Sequence, residues 1–440
     1  MVLDSRPVAR VLVAGLALVI LLACGLASPA ETNAPPAATP SARFNIESAT
    51  RAYLDRLTPE KKQKSDAYFE GGYWLQLWDC LYGTGVALLL LGTRLSVRMR
   101  DLASRVTRFQ TLHTVAYWIQ YALVIALLTF PLTIYVGFFR EHQYGMSNQS
   151  LGGWFGDFLK GLLVAIVLGS IALVPIFALV RRSAGRWHVY ASGVLIAFLM
   201  FVIVIGPVFI APLFNKYTLL ADAKVRDPIL SLARANGIPA TEVFEMDASR
   251  QTKRISANVS GALGTTRVTL NDNLLNRCTL PEIEAVMGHE MGHYVLNHIY
   301  KSVVFFGVLV VVMMSVLRWS LDRLLARFGE RWGLSGPGDL AALPLALAII
   351  SALSFVMTPV SNTIIRTQEI EADVFGLNAA RQPEGFAETA LKLSEYRKME
   401  PTPFEEFIFY DHPSGATRIR TAMRWKAENL AAAPESQLRP

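Results

Sequence analysis

Long apolar runs separated by short charged stretches dominate the chain. They lie at about Trp74–Leu95, Val115–Phe139, Phe158–Val180, Val189–Leu213, Val303–Trp319 and Leu340–Val360. Each has roughly the 17–25 residues that a bilayer-spanning helix requires. A further apolar stretch, Val11–Leu22, follows Arg6 and Arg10 and leads into small residues through Ala30. That order suits a secretory signal or a first transmembrane helix. The pattern predicts a mainly α fold: a polytopic helical membrane protein of six to seven transmembrane helices with a small inserted α+β domain.

The polar stretches carry shorter periods. Ala30–Ala42 is rich in Pro, Ala and Thr and reads as a disordered linker, and Arg51–Glu70 is charged and helix-prone. Between the fourth and fifth apolar runs, Asn215–Lys301 has the composition of a soluble domain. Asp222–Asn236 reads there as a helix closed by Gly237 and Pro239. Glu242–Ala248, Arg254–Ser260 and Arg267–Leu270 alternate as strands, the last followed by Asn271-Asp272-Asn273 as a turn. Thr279–Ile299 reads as one amphipathic helix, with Thr279 as its cap and Pro281 and Glu282 in its first turn. A second polar stretch runs from Ser361 to Pro440.

Composition agrees with the pattern. Hydrophobic residues make up 52% and charged residues 18%, below the roughly 25% of soluble domains. This excludes an ordinary soluble enzyme, a disordered chain and a fibrous repeat. The net charge of +7 comes largely from arginines flanking the apolar runs. They are topology signals at a lipid bilayer, and no nucleic-acid partner is expected. Cys24, Cys80 and Cys278 are too scattered for a disulfide framework or a thiolate metal site.

The chemistry lies on the helix beginning at Thr279, which contains His289-Glu290-Met291-Gly292-His293, an HExxH motif. Positions i and i+4 share a helix face, so both imidazoles can converge on one metal. Glu290 sits beside them as a general base for water. Small Gly288 and Gly292 flank the histidines. A hydrolytic zinc site needs a third protein ligand. After the last apolar run, Glu369 and Asp373 lie four apart, on one face of a predicted helix. Glu369 can be that ligand, while Asp373 orients a ligand histidine. Glu371 reads as a solvated face, and His298 as structural.

These motifs resemble the CAAX prenyl protease type 1 family of integral-membrane zinc endopeptidases, over residues 50 to 425. The resemblance is carried by Pro212-Leu-Phe-Asn-Lys-Tyr-Thr218, by HEMGH at 289–293, by Arg366-x-x-Glu369-x-x-Ala372-Asp373, and by His412-Pro413 with Arg418-Ile419. It implies one Zn²⁺ per chain on His289, His293 and Glu369, with Glu290 as the base and Asp373 supporting a ligand. His412 would contact substrate near the metal, and Arg418 would organise the site or bind substrate. Ser249–Gly261 would pair with an extended peptide, through Ala257 and Asn258, although Ser256-Ala257-Asn258 replaces the family's Asn-Ala-Tyr. The implied activity is hydrolysis of membrane-associated, lipidated or misfolded protein substrates through a zinc-activated water.

The expected division is 1–30 signal or first span, 31–50 linker, 51–214 membrane helices, 215–301 zinc-protease domain, 302–361 membrane helices, and 362–440 the remainder of that domain. An intramembrane site-2-type protease is disfavoured, because Glu282, Glu284, Asn297 and His298 make the HExxH helix too polar to span. A transporter leaves the metal constellation unexplained; zinc content distinguishes it. Leu21-Leu22-Ala23-Cys24 loosely resembles a lipoprotein-processing site and, with the leader, suggests a bacterial inner membrane. Arg94, Arg98, Arg100, Arg105 and Arg108, then Arg181, Arg182 and Arg186, then Arg318, Arg323, Arg327 and Arg331 occupy three alternate loops. The positive-inside rule makes that face cytoplasmic and the zinc site periplasmic, the alternative being a cytoplasmic site as in eukaryotic relatives.

Overall fold

The computed structural model describes residues 44–183, 185–260 and 266–429. The leader and residues 31–43 of the linker lie outside them. Helix α1, Ile46–Leu54, starts within the stretch read as linker, because the Asn45 side chain accepts from Ser48 N–H and caps it.

Two units can be distinguished, one comprising Tyr73–Phe214 with Lys301–Thr358, the other reaching Gly72 and comprising Asn215–Tyr300 and the chain from Pro359 onward. The first is helical. It is built from α2 (Pro59–Gly92), α3 (Leu95–Val106), α4 (Gln110–Ile134), α5 (Leu151–Arg182), α6 (Trp187–Ile205), α10 (His298–Trp332) and α11 (Leu343–Ala380), of which α2, α10 and α11 also supply residues to the second unit. Six helices among the described residues are long and apolar enough to span a membrane, matching the six apolar runs. Leu127, Leu163 and Val204 are exposed on them, the condition of a lipid-facing surface. Inside, Leu91, Val180, Trp187, Met314 and Leu317 form one cluster and Leu90, Met99, Tyr117 and Phe177 another.

The three arginine-rich loops meet within this unit. Arg94 donates to the Arg331 carbonyl at 3.0 Å, Arg100 pairs with buried Asp339 at 2.6 Å, and Arg318 donates to the Gly185 carbonyl. Asp339 also accepts from Ser335 and from Ala341 N–H. The loops that alternate in sequence thus share one end of the unit.

The second unit holds a four-stranded sheet in the order β1-β2-β4-β3, from β1 (Tyr217–Leu219), β2 (Val243–Met246), β3 (Ala257–Ser260) and β4 (Arg267–Asn271). β2 and β4 are parallel, and the outer pairs are antiparallel. Helix α7 (Ala223–Ala235) packs Ile229 and Ala233 into a core with Val243, Val268, Leu270, Met287 and Met291. The strand β1 escaped the periodicity reading because three residues are too few to show alternation. Asn271-Asp272-Asn273 is no turn. Asn271 instead caps a short helix, α8 (Asp272–Arg277), by accepting from Leu274 N–H.

Helix α9, Leu280–Val295, carries the HExxH motif and is not one of the six candidate spans. Thr279, expected as its cap, forms a capping box with Glu282. The predicted helix to Ile299 is in fact two. Asn297 takes a left-handed φ of 57°, tolerated by Asn better than by most residues, and His298 starts α10. Beyond α11 follow α12 (Pro383–Lys392), α13 (Pro403–Phe409) and α14 (Gly415–Asn429). Their residues Phe386, Ala390, Ile419 and Met423 join Leu54 and Leu377 in a second core.

A candidate metalloprotease centre

Close approach of α9 and α11 assembles the site. A Cβ on Gly288 would lie 2.9 Å from the Gly376 carbonyl oxygen, and one on Gly376 would lie 2.6 Å from the His289 nitrogen. A Cβ on Gly292 would meet Ala372 Cα at 3.1 Å. The two backbones come together only because these positions are small, and the histidines of one helix then face the carboxylates of the other.

His289, His293 and Glu369 form the sole group of this kind among the described residues whose ligand atoms could hold one metal ion. The two Nε2 atoms are 3.1 Å apart, and each lies 3.3 Å from a Glu369 carboxylate oxygen. A tetrahedral zinc with ligands at about 2.0–2.1 Å keeps its ligand atoms roughly 3.3 Å apart, and these donors, His289 facing one Glu369 oxygen and His293 the other, all lie within 4.8 Å of one another, close to that arrangement.

The opposite ring nitrogens are held from behind. His289 Nδ1 lies 2.8 Å from Asp373 Oδ1. His293 Nδ1 lies 2.8 Å from His298 Nδ1, and His298 Nε2 lies 3.0 Å from Glu371. With Nε2 turned toward Glu369, the His293 proton belongs on Nδ1, from which it is donated to His298. Sequence spacing missed this pair. On one continuous helix His298 would point away from His293, and the break at Asn297 brings it round. Glu371, read as a solvated residue, is the carboxylate that anchors His298; Asn297 is the signal that could have revealed it.

Arg418 on α14 bridges the two acidic residues, reaching Glu369 at 2.9 Å and Asp373 at 3.0 Å, and is buried. His412 Nε2 lies 3.3 Å from Glu369, and its Nδ1 lies 2.7 Å from Asp411. Burial disfavours a charge on His289, but hydrogen bonding to Asp373 and then Glu369 outweighs it and pushes the imidazole up to about 10. The carboxylates thus favour a cation here. Burial raises Glu290 above the usual carboxylate range, against the pull of the two histidines. For His412 burial dominates and lowers the imidazole, in spite of Asp411.

A cavity of about 200 Å³ opens beside these groups, lined by Ala257, His289, Glu290, Arg397, His412 and Arg418 among others. Ala257, expected to meet the substrate, lies on the cavity wall. Asn258 is exposed on β3 and does not line the cavity. Among the described residues β3 pairs only with β4, which leaves its other edge open.

Comparison with known proteins gives the same picture. A family model described as peptidase family M48 matches residues 220–426, and one described as CAAX prenyl protease N-terminal, five membrane helices, matches residues 45–216. The chain is 31% identical over 351 residues to a Bacillus subtilis protein named uncharacterized metalloprotease YhfN, covering 79% of this chain and 81% of that one. It is 27% identical over 313 residues to the CAAX prenyl protease 1 homolog of Oryza sativa, covering 70% and 73%. The crystal structure of S. mikatae Ste24p superposes with a TM-score of 0.72 at 22% identity, covering 96% of this chain and 99% of that one, a likeness of fold. The chain belongs to peptidase family M48, as an integral-membrane zinc metalloprotease of the CAAX prenyl protease 1 kind.

Proposed function

We propose that this protein is an endopeptidase that binds one zinc ion per chain through His289, His293 and Glu369 and cuts membrane-associated, lipidated or misfolded proteins. One observation carries the reading: three ligand residues on two helices whose donor atoms all lie within 4.8 Å of one another, each held from behind by a further side chain. When bound, zinc supplies a Lewis acid for the scissile carbonyl and for water. The chain's own residues do the rest. Glu290 takes a proton from the attacking water on its carboxylate and passes it to the leaving amine. Asp373 and the His298–Glu371 pair fix the tautomers of the ligand histidines. Arg418 holds Glu369 and Asp373 in place, and His412 contacts the substrate. The open edge of β3, at Ala257 and Asn258, accepts an extended peptide by backbone pairing, which tolerates varied side chains.

Removing and returning the metal tests this. Purified protein is expected to hold about one zinc, to lose cleavage of a quenched peptide on chelation, and to regain it with zinc. Zinc must displace the proton that Asp373 and Glu369 favour on His289, so apparent affinity should weaken steadily as pH falls. Activity indifferent to chelation would discard the reading.

The centre faces the bacterial periplasm in this proposal, because the arginine-rich loops belong in the cytoplasm and the HExxH stretch alternates with them along the chain. Alkaline phosphatase fused after Ala432 should be active, and a fluorescent protein there dark. The reverse pattern would put the centre on the cytoplasmic side.

A further inference from the structure

The cavity beside His289 and Glu290 is walled partly by Tyr396 and Arg397, which follow the short turn Leu393–Glu395 after α12. The other basic groups around it already have partners. Arg418 is engaged by Glu369 and Asp373, and His412 by Asp411. Arg397 is different. Among the described residues it makes no hydrogen bond and no ion pair, although it is half-buried. The acidic side chains within electrostatic reach, Asp411 and Glu369, are each committed to other groups. Burial, followed by the nearby Arg418, pulls the guanidinium below its ordinary value. An arginine nonetheless stays charged at neutral pH, and a half-buried cation facing a cavity is costly unless something anionic meets it.

We infer that Arg397 is a specificity-determining residue that pairs with a carboxylate of the peptide occupying this cavity. Its planar fork of donors matches a carboxylate with two parallel hydrogen bonds, which a lysine cannot reproduce. The carboxylate is either an Asp or Glu side chain near the scissile bond or a free C-terminus, and both present the same two oxygens. The inference rests on the protease reading and adds to it a substrate class: peptides that bring negative charge into the cavity.

The test uses the full-length protein in detergent, zinc-loaded, carrying Glu290→Gln so that bound peptide is not turned over. Four peptides of one sequence are compared by fluorescence anisotropy: Asp or Asn at the position next to the cleaved bond, each with a free or an amidated C-terminus. A carboxylate peptide should bind on the order of tenfold more tightly than its amide counterpart. A difference between Asp and Asn assigns the side chain; a difference on amidation assigns the C-terminus. Adding Arg397→Gln should shrink the ratio to about twofold or less, and Arg397→Lys should retain part of it. Zinc content measured alongside reports whether each variant keeps its fold, and the lysine variant carries the test if the glutamine variant does not. Equal binding of all four peptides, a ratio unchanged by Arg397→Gln, or a uniform loss for every peptide would overturn the inference. In the parental enzyme, cleavage without charge preference would overturn this inference alone. Absence of both cleavage and binding would overturn the protease reading with it.

Discussion

Glu290→Gln is expected to keep its zinc and to lose peptide cleavage by about 10²–10⁴-fold, the range over which removal of a general base slows a reaction. The side chain lines the cavity beside His289 but is not one of the three clustered residues proposed to bind the metal, so metal content should stay near that of the parent. Glutamine has the same shape and no proton affinity, so position is retained while the proton acceptor is lost. Stability provides a separate check. Burial raises the Glu290 carboxyl in the folded state, so its contribution is favourable while it is protonated and is lost as pH rises through that raised value. After chelation, the glutamine variant should therefore be at least as stable as the parent at neutral pH. Cleavage within a fewfold of the parent, with zinc retained, would remove Glu290 from the mechanism.

His289→Ala, His293→Ala and Glu369→Ala should each take zinc from about one per chain to near zero and abolish activity. Glu369 is the decisive member, because four side chains converge on its two oxygens: His289, His293, His412 and Arg418. Removing it deletes a ligand and leaves Arg418 facing the histidines with Asp373 as its remaining partner. Asp373→Ala and Glu371→Ala act one step back, through His289 and through His298. Changes of that kind cost about 10–100-fold in metal affinity rather than all of it. Zinc content and its dependence on added metal would be read by atomic absorption. If Glu369→Ala stayed stoichiometric while Glu371→Ala lost metal, the third ligand would be Glu371.

Much of this architecture was legible in local pattern. Six apolar runs became six long helices because span length and apolarity are properties of consecutive residues. The helix ends at Asp222 and Thr279 were readable because capping depends on a few neighbouring side chains. The i, i+4 spacing put His289 and His293 on one face of a helix for the same reason. The limits of that reading fall at short elements: the three-residue β1, the helix started by Asn271, and the break at Asn297.

What the tertiary structure decided is how distant groups meet. Glu369 was selected from its acidic neighbours by the crossing of α9 with α11, which Gly288, Gly292 and Gly376 allow. Arg418 reaches it from 49 residues away, and Glu371 reaches His298 across 73. Ion pairs of that separation leave no period in the sequence, since each partner sits on its own helix with its own local rules. Arg397 and Asp411 belong to the same class, as residues from loops that flank α13. The sequence by itself therefore determined the membrane helices and the face of the histidine motif. Packing of small residues between two helices determined which carboxylates stand opposite that face, because side-chain reach is only a few ångströms and only the folded backbone sets it.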